Sequence, residues 1–310
     1  MVAYVIRRLL QGIVVLLLIT FVAFAILQAA PGDPVELMLG EGAIMITEQQ
    51  REAILARWGL DKPWYEQYYL WLTNFVTGDL GESIVRAGTP VHEMIIDAAI
   101  PTLKLNGLAF LVSTLIAIPA GMLAAIKRYS IYDSAVMVVA SAGVALPLFW
   151  VALMLIIFFS LKLGWLPPFG ANSWKGYILP VATLAMNEVA LLTRMMRGTM
   201  LEVLEHDYVR TARAKGLSEY AVIVGHAVRN AMLPVVTVLG VRVGLLVSGT
   251  VVVESIFAWP GLGQLFITSV ERFDFQVVQA IVVLFAVFVL VANLLTDLLY
   301  AYIDPRIRLR

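Results

Sequence analysis

Two kinds of residue capable of chemistry stand out from an otherwise apolar chain. One is a basic stretch between two hydrophobic runs, and the other is a pair of opposite charges inside such runs. The stretch from Arg194 to Pro234 reads RMMRGTMLEVLEHDYVRTARAKGLSEYAVIVGHAVRNAMLP, and Arg210, Arg213 and Lys215 place three cations within six residues. Asp207 is predicted to cap a short helix there, with Arg213 and Lys215 in its last turn against the negative end of the helix dipole. Gly216 is predicted to end that helix, because glycine takes the left-handed conformation without steric cost. Ser218 is predicted to cap a second short helix running to about Asn230, after which Pro234 opens the next apolar run. Such a helix–Gly–helix on a loop gives a soluble partner something to grip; an ordinary solvated basic loop is the plainer reading.

The opposite charges are Glu188 and Arg242. Counted from the start of its apolar run at Gly176, Glu188 lies roughly 18 Å deep at 1.5 Å per residue. Arg242 lies eight residues beyond Pro234, roughly 12 Å from the other end of its run by the same rise. In a ~30 Å hydrocarbon core these depths coincide. A charge at that depth costs several kcal/mol unless paired or wet, so both are predicted to face an interior or a cavity. They serve there either as a polar lining or as a structural pair.

Other chemistry is excluded or unsupported. Cysteine is absent, which removes disulfides, thiolate catalysis and cysteine metal sites together. His92, His206 and His226 show no ligand spacing. No G-x-x-x-x-G-K-[ST] segment, dinucleotide glycine pattern or catalytic-triad spacing occurs. The 22 basic and 22 acidic residues balance, which argues against a nucleic-acid partner.

These residues must be positioned by membrane helices. The chain is 61% hydrophobic and 14% charged, whereas soluble domains run near half apolar and a quarter charged. Charge-free intervals cover Leu9–Gly32, Leu105–Ile126, Ser134–Leu161 and Phe275–Thr296, each longer than the ~20 residues a span requires. Gly176–Thr193 and Ala231–Val253 qualify once Glu188 and Arg242 are allowed, giving six predicted spans. Arg7-Arg8 ahead of the first run also suits a signal peptide, but the run exceeds a signal core and an uncleaved helix is expected. Thirteen of the 22 basic residues fall on the N-terminal side of the membrane or on segments sharing that side, while the two short opposite loops hold only Lys162, Lys175 and Arg272. Both termini are therefore predicted to be cytoplasmic, as is the Arg194–Pro234 loop.

The division expected is a first transmembrane helix over 1–30, an extracytoplasmic loop over 31–100 and a five-helix core over 101–310. Within the loop, Thr47 and Gln50 form a capping box, Gly59 closes the helix, and Pro63 opens another. Trp64, Tyr68, Trp71 and Phe75 share one face of that second helix. The face suits the headgroup boundary, either anchoring the loop or offering a floor to an external protein. Farther along, Trp259-Pro260-Gly261-Leu262-Gly263 predicts a tight, re-entrant-looking turn. Irregular backbone at membrane depth is tolerated only under protein cover or beside a water-filled cavity, so the turn either faces a pathway or is simply a turn.

Asp207-Tyr208-Val209-Arg210-Thr211-Ala212-Arg213-Ala214-Lys215-Gly216, followed by Arg229-Asn230-Ala231-Met232-Leu233-Pro234, resembles the EAA loop of ABC-importer permeases. The form is that of the dipeptide/oligopeptide permease family. Arg210-Thr211-Ala212 stands in the E-A-A place, and Leu233-Pro234 lies farther from Gly216 than in the generic pattern. Pro31-Gly32-Asp33-Pro34, the Trp259–Gly263 segment and Asp304-Pro305-Arg306 match the same branch in the same order. The resemblance implies an all-α polytopic protein of type I ABC-importer architecture in a bacterial inner membrane. It also implies a second permease subunit, two cytoplasmic ATPases carrying ATP and magnesium, and an external peptide-binding protein. Asp207, Arg210, Thr211, Ala212, Arg213, Lys215, Gly216, Arg229 and Asn230 would then form the coupling loop to an ATPase. Glu188, Arg242, Trp259, Pro260 and Gly261 would belong to the translocation pathway. An ion-gradient-driven transporter is the rival, but no convincing internal repeat is present. An intramembrane enzyme would require paired acids or nucleophile motifs within spans, and none is found.

Overall fold

The computed structural model describes residues 2–29, 47–86, 88–244 and 250–303. The 31–34 and 304–306 motifs lie outside them. Helices α1 (Val2–Gln28), α2 (Glu48–Trp58), α3 (Trp64–Thr77) and α4 (Val91–Ile126) are followed by α5 (Ile131–Ala145) and α6 (Leu148–Leu155). A π-helical turn, Ile156–Lys162, extends α6. Then come α7 (Trp174–Leu204), α8 (Asp207–Ala214), a second π-helical turn (Ala221–Ala227), α9 (Val228–Gly244), α10 (Val251–Ile256), α11 (Leu262–Glu271) and α12 (Phe275–Ile303).

Among the described residues, five helical stretches are long and apolar enough to cross a membrane: Ile6–Gln28, Val91–Ile126, Trp174–Leu204, Ala221–Gly240 and Phe275–Leu295. A sixth candidate is broken. Ile131–Ala145 and Leu148–Lys162 meet at 107°, where one unbroken span over Ser134–Leu161 was expected. The cause is local: the ring of Pro147 disfavours helical backbone at the preceding residue, and Leu146 is extended at φ −80°, ψ 131°.

Two other expected spans differ in extent. The fourth does not stop at Thr193, because α7 continues to Leu204 and carries Arg194 and Arg197 on helix. The fifth was expected to reach Val253, but Val253 lies in the separate helix α10. Pro234 does not open that span either; it sits inside α9.

The described residues form two compact units, Met1–Pro101 with Pro260–Val291, and Thr102–Trp259 with the rest of α12. In the first, Thr47 and Gln50 make the reciprocal capping box, and Gly59 at φ 65° closes α2. The aromatic face of α3 is turned onto α1. Tyr68 meets Phe21 and Phe24 at ring separations of 5.6 and 5.4 Å, and its hydroxyl lies 2.9 Å from Thr20 Oγ1. Trp71 and Phe75 continue the stack at 6.2 and 5.7 Å. This face packs the helix against α1, while Trp64, Tyr65 and Tyr69 remain exposed.

In the second unit, α7 is the central post. Leu192, Met196 and Met200 of α7 pack with Ala117 and Ala125 of α4, and with Ala227, Ala231 and Val235 on the α9 side. Small residues on the flanking helices let the backbones approach closely, as membrane helix contacts favour.

Candidate functional site

The polar segment between α7 and α9 is shorter than its sequence suggests, because both flanking helices extend into it. What remains is α8 and two tight connections. The N-cap of α8 is His206, with extended backbone at φ −69°, ψ 147°, and no side chain caps it. Asp207, expected to be the cap, is already helical. Its carboxylate still favours the positive end of the dipole and lies 3.8 Å from Arg210.

At the other end, Gly216 adopts φ +78°. The Gly216 N–H donates to the Arg213 carbonyl at 3.0 Å, and the Leu217 N–H to the Ala212 carbonyl at 3.4 Å. This is the two-bond closure that makes a left-handed residue necessary there. Ser218 Oγ accepts the Ala221 N–H at 3.3 Å, so it does start a helix. That helix is not separate: it passes through the π-helical turn into α9, making it the polar base of a span.

Val209 and Ala212 are buried against Val222, Val203 and Leu204. Ala212 therefore holds α8 in place and offers nothing to a partner. Asp207, Arg210, Thr211, Lys215 and Arg229 are exposed, leaving a charged outer face. Asn230 donates to Tyr208 Oη at 3.0 Å and to the His226 carbonyl at 2.9 Å, tying α8 to the base of α9.

Arg213 does more than complement the dipole. Its Nε and Nη2 donate to the two Glu219 oxygens at 3.1 and 2.7 Å, across the Gly216 turn. The guanidinium holds the Glu219 carboxyl below the usual glutamate range, and the carboxylate in turn raises Arg213. A depressed acid contributes above its unfolded pKa, and the contribution disappears as pH falls through the folded value. The turn should thus be insensitive to pH from 7 down to about 5 and should loosen below the ordinary glutamate value near 4.3. Glu219→Gln at neutral pH should reproduce the loosened state, measured as faster labelling of a cysteine placed at Leu217. The effect is small, below about 1 kcal/mol, because both partners are solvent-exposed. Equal labelling of the wild-type and Glu219→Gln proteins at pH 7 would remove the brace.

A stronger clamp holds the base of α7. Arg197 Nε and Nη2 donate to Asp133 at 2.5 and 2.7 Å, and the Tyr129 N–H donates to the same carboxylate at 3.0 Å. Asp133 is only 4% exposed. Arg128 adds a 3.2 Å contact to Glu205 at the corner leading into α8. Neither pair was foreseen, since partners 64 and 77 residues apart leave no local signal.

At mid-span, Arg242 Nη1 meets Glu188 Oε1 at 3.0 Å. The side chains are 34% and 25% exposed, and Glu188 Oε2 is buried without a hydrogen-bond partner among the described residues. The equal depths inferred from helix rise correspond to a direct contact. Trp259 differs from expectation. Its side chain is fully buried, edge-on to Tyr177 at 4.5 Å, among Leu105, Ala109 and Val181. A tryptophan packed that way fills a core and does not face a cavity. Pro260 is exposed, and Gly261 is the buried, extended residue ahead of α11. Sequence reasoning also missed the buried Glu254, which accepts from Thr102 Oγ1 at 2.8 Å and Thr250 Oγ1 at 3.1 Å.

Comparison with known families matches residues 117–309 to the binding-protein-dependent transport system inner membrane component, and residues 1–97 to that family's N-terminal region. The chain belongs to this permease family. It is 44% identical over 317 residues to the oligopeptide transport system permease protein AppB of Bacillus subtilis (strain 168), covering 99% of each chain. It is 42% identical over 308 residues to the glutathione transport system permease protein GsiC of Escherichia coli (strain K12), again covering 99% of each. The fold is that of type I ABC-importer permeases. The inward-facing MetNI methionine ABC transporter superposes with a TM-score of 0.57 at 17% identity, over 69% of this chain and 97% of that one. An amino acid ABC transporter solved with histidines gives 0.51 at 20% identity, over 68% and 94%. The family gives α8 its context: a short polar helix set between two spans of a transport permease.

Proposed function

We propose that this permease is one of two membrane subunits of an ATP-driven peptide importer in a bacterial inner membrane, with both termini cytoplasmic. A second, homologous permease completes the pathway, and an extracytoplasmic binding protein delivers the peptide. Two cytoplasmic subunits bind ATP and magnesium and hydrolyse the nucleotide. Peptides are the substrate class because the similar permeases named above serve oligopeptide and glutathione transport.

The observation that carries this reading is α8 itself. Its apolar side is fixed to the ends of α7 and α9 while its charged side is left to solvent. A rigid helix joined at both ends to spans transmits a push from a soluble ATPase into the membrane. Lacking a phosphate-binding loop, the chain depends on such a contact for energy.

Gly216 provides the test. At φ +78°, alanine meets the left-handed penalty of roughly 1–2 kcal/mol. Proline is worse, because it fixes φ near −65° and removes the N–H that reaches Arg213. Gly216→Pro is expected to leave assembly intact while uptake and substrate-stimulated ATP hydrolysis fall to background. Gly216→Ala should be intermediate. Wild-type uptake by an assembled Gly216→Pro complex would refute coupling through α8.

A further inference from the structure

Within the first unit, residues 81–86 fold back on residues 88–91 as a small hairpin. The Val91 N–H donates to the Gly81 carbonyl at 3.0 Å, and Ser83 N–H to the Thr89 carbonyl at 2.9 Å. Asp274, at the corner between α11 and α12, fastens this hairpin. One carboxylate oxygen accepts the Ser83 hydroxyl and the other accepts the Ile84 N–H at 3.2 Å. Ser83 and Asp274 are both buried.

Beside this clasp lies a cavity of about 90 Å³, lined by Arg86 on the hairpin, Met94 on α4, Leu265 and Thr268 on α11, and Arg272 and Asp274 at the corner. Both arginines are exposed, and neither is in an ion pair with another described residue. Asp274 has both oxygens engaged by the hairpin, so it orders the site without pairing with either guanidinium.

We infer that this pocket receives an acidic side chain, aspartate or glutamate, presented by the extracytoplasmic binding protein. Three features select that occupant. Two unpaired guanidiniums on a braced frame match a carboxylate, which accepts two parallel N–H bonds from an arginine. The volume excludes a peptide, since small-molecule sites run about 300–1,000 Å³, but it admits one carboxylate and its stem. The distribution of basic residues puts the hairpin and the α11–α12 corner on the extracytoplasmic side. The inference rests on the import reading and adds where the delivering protein docks and what it offers.

The test uses the natively assembled complex in nanodiscs and its purified binding protein. Exposed charges at the rim of an interface act mainly on association rate and salt dependence. The double variant Arg86→Gln/Arg272→Gln should slow association on the order of tenfold at low salt. The difference should vanish toward 1 M salt, where the screening length is about 3 Å. The Arg86→Lys/Arg272→Lys pair should keep most of the rate, and basal ATP hydrolysis should not change. An unchanged rate and salt slope in the glutamine variant overturns the docking site and leaves the importer reading standing. Failure of the wild-type complex to bind any such protein overturns both.

Discussion

Gly121→Val is expected to abolish the folded permease altogether. A Cβ at Gly121 would lie 2.5 Å from the Thr193 carbonyl oxygen, 2.8 Å from Met196 Cβ and 3.1 Å from the Arg197 nitrogen. Two of these are backbone atoms of α7, so no side-chain rotation relieves the clash. Overpacking by ordinary methylenes costs roughly 1–3 kcal/mol. Here α4 must move away from α7, where Met196 and Met200 are fully buried and Arg197 is clamped to Asp133. The cost should exceed about 3 kcal/mol, a large share of a typical stability of about 5–15 kcal/mol. Gly107, on the same helix, is the control, because a Cβ there has nothing within 4 Å. Gly107→Ala should give normal yields of monodisperse protein and a thermal midpoint at or above that of the wild type, because alanine is the better helix former. Wild-type yield and midpoint for Gly121→Val would show that α4 and α7 do not cross here as described.

Gly121 also marks a limit of reading the sequence. Its surroundings are set by residues more than 70 positions away, and a glycine in an apolar run does not indicate which neighbour needs the space. The Asp133–Arg197 clamp is hidden for the same reason. What depended on the chain's own local chemistry was legible: the capping box at Thr47, the left-handed Gly216, the start at Ser218 and the aromatic stripe of α3. The break at Pro147 was legible in principle, since a proline restricts the residue before it, but an unbroken apolar run concealed it. The actual extents of α7 and α9 were not legible, because polar residues such as Arg194 and Arg229 interrupt hydropathy without interrupting a helix. Whether Trp259 faced a cavity or a core depended on Tyr177 and Leu105, which no pattern around Trp259 reveals.

Glu188 and Arg242 were accessible because a membrane reduces the problem to one coordinate. Depth follows from counting residues, and two opposite charges at equal depth, neither stable in lipid, have reason to meet. Counting gives no azimuth, so the 3.0 Å contact is the new information. Losing one partner leaves the other uncompensated. For a fully buried pair that costs about 3–5 kcal/mol, and a pair a quarter to a third exposed should lose less. Glu188→Gln and Arg242→Gln are each expected to reduce uptake by about tenfold, roughly 1.4 kcal/mol. The double variant should recover part of that loss, with a coupling above about 0.5 kcal/mol in the cycle. The reversed pair, Glu188→Arg with Arg242→Glu, separates the two roles. If the contact only ties α7 to α9, the reversal restores assembly and uptake together. If the pair also lines the path of a zwitterionic peptide, assembly returns while uptake stays low, because the unpaired Glu188 oxygen and the exposed part of Arg242 have exchanged places. Strictly additive losses in the double variant would show that the two charges act independently, whatever their distance.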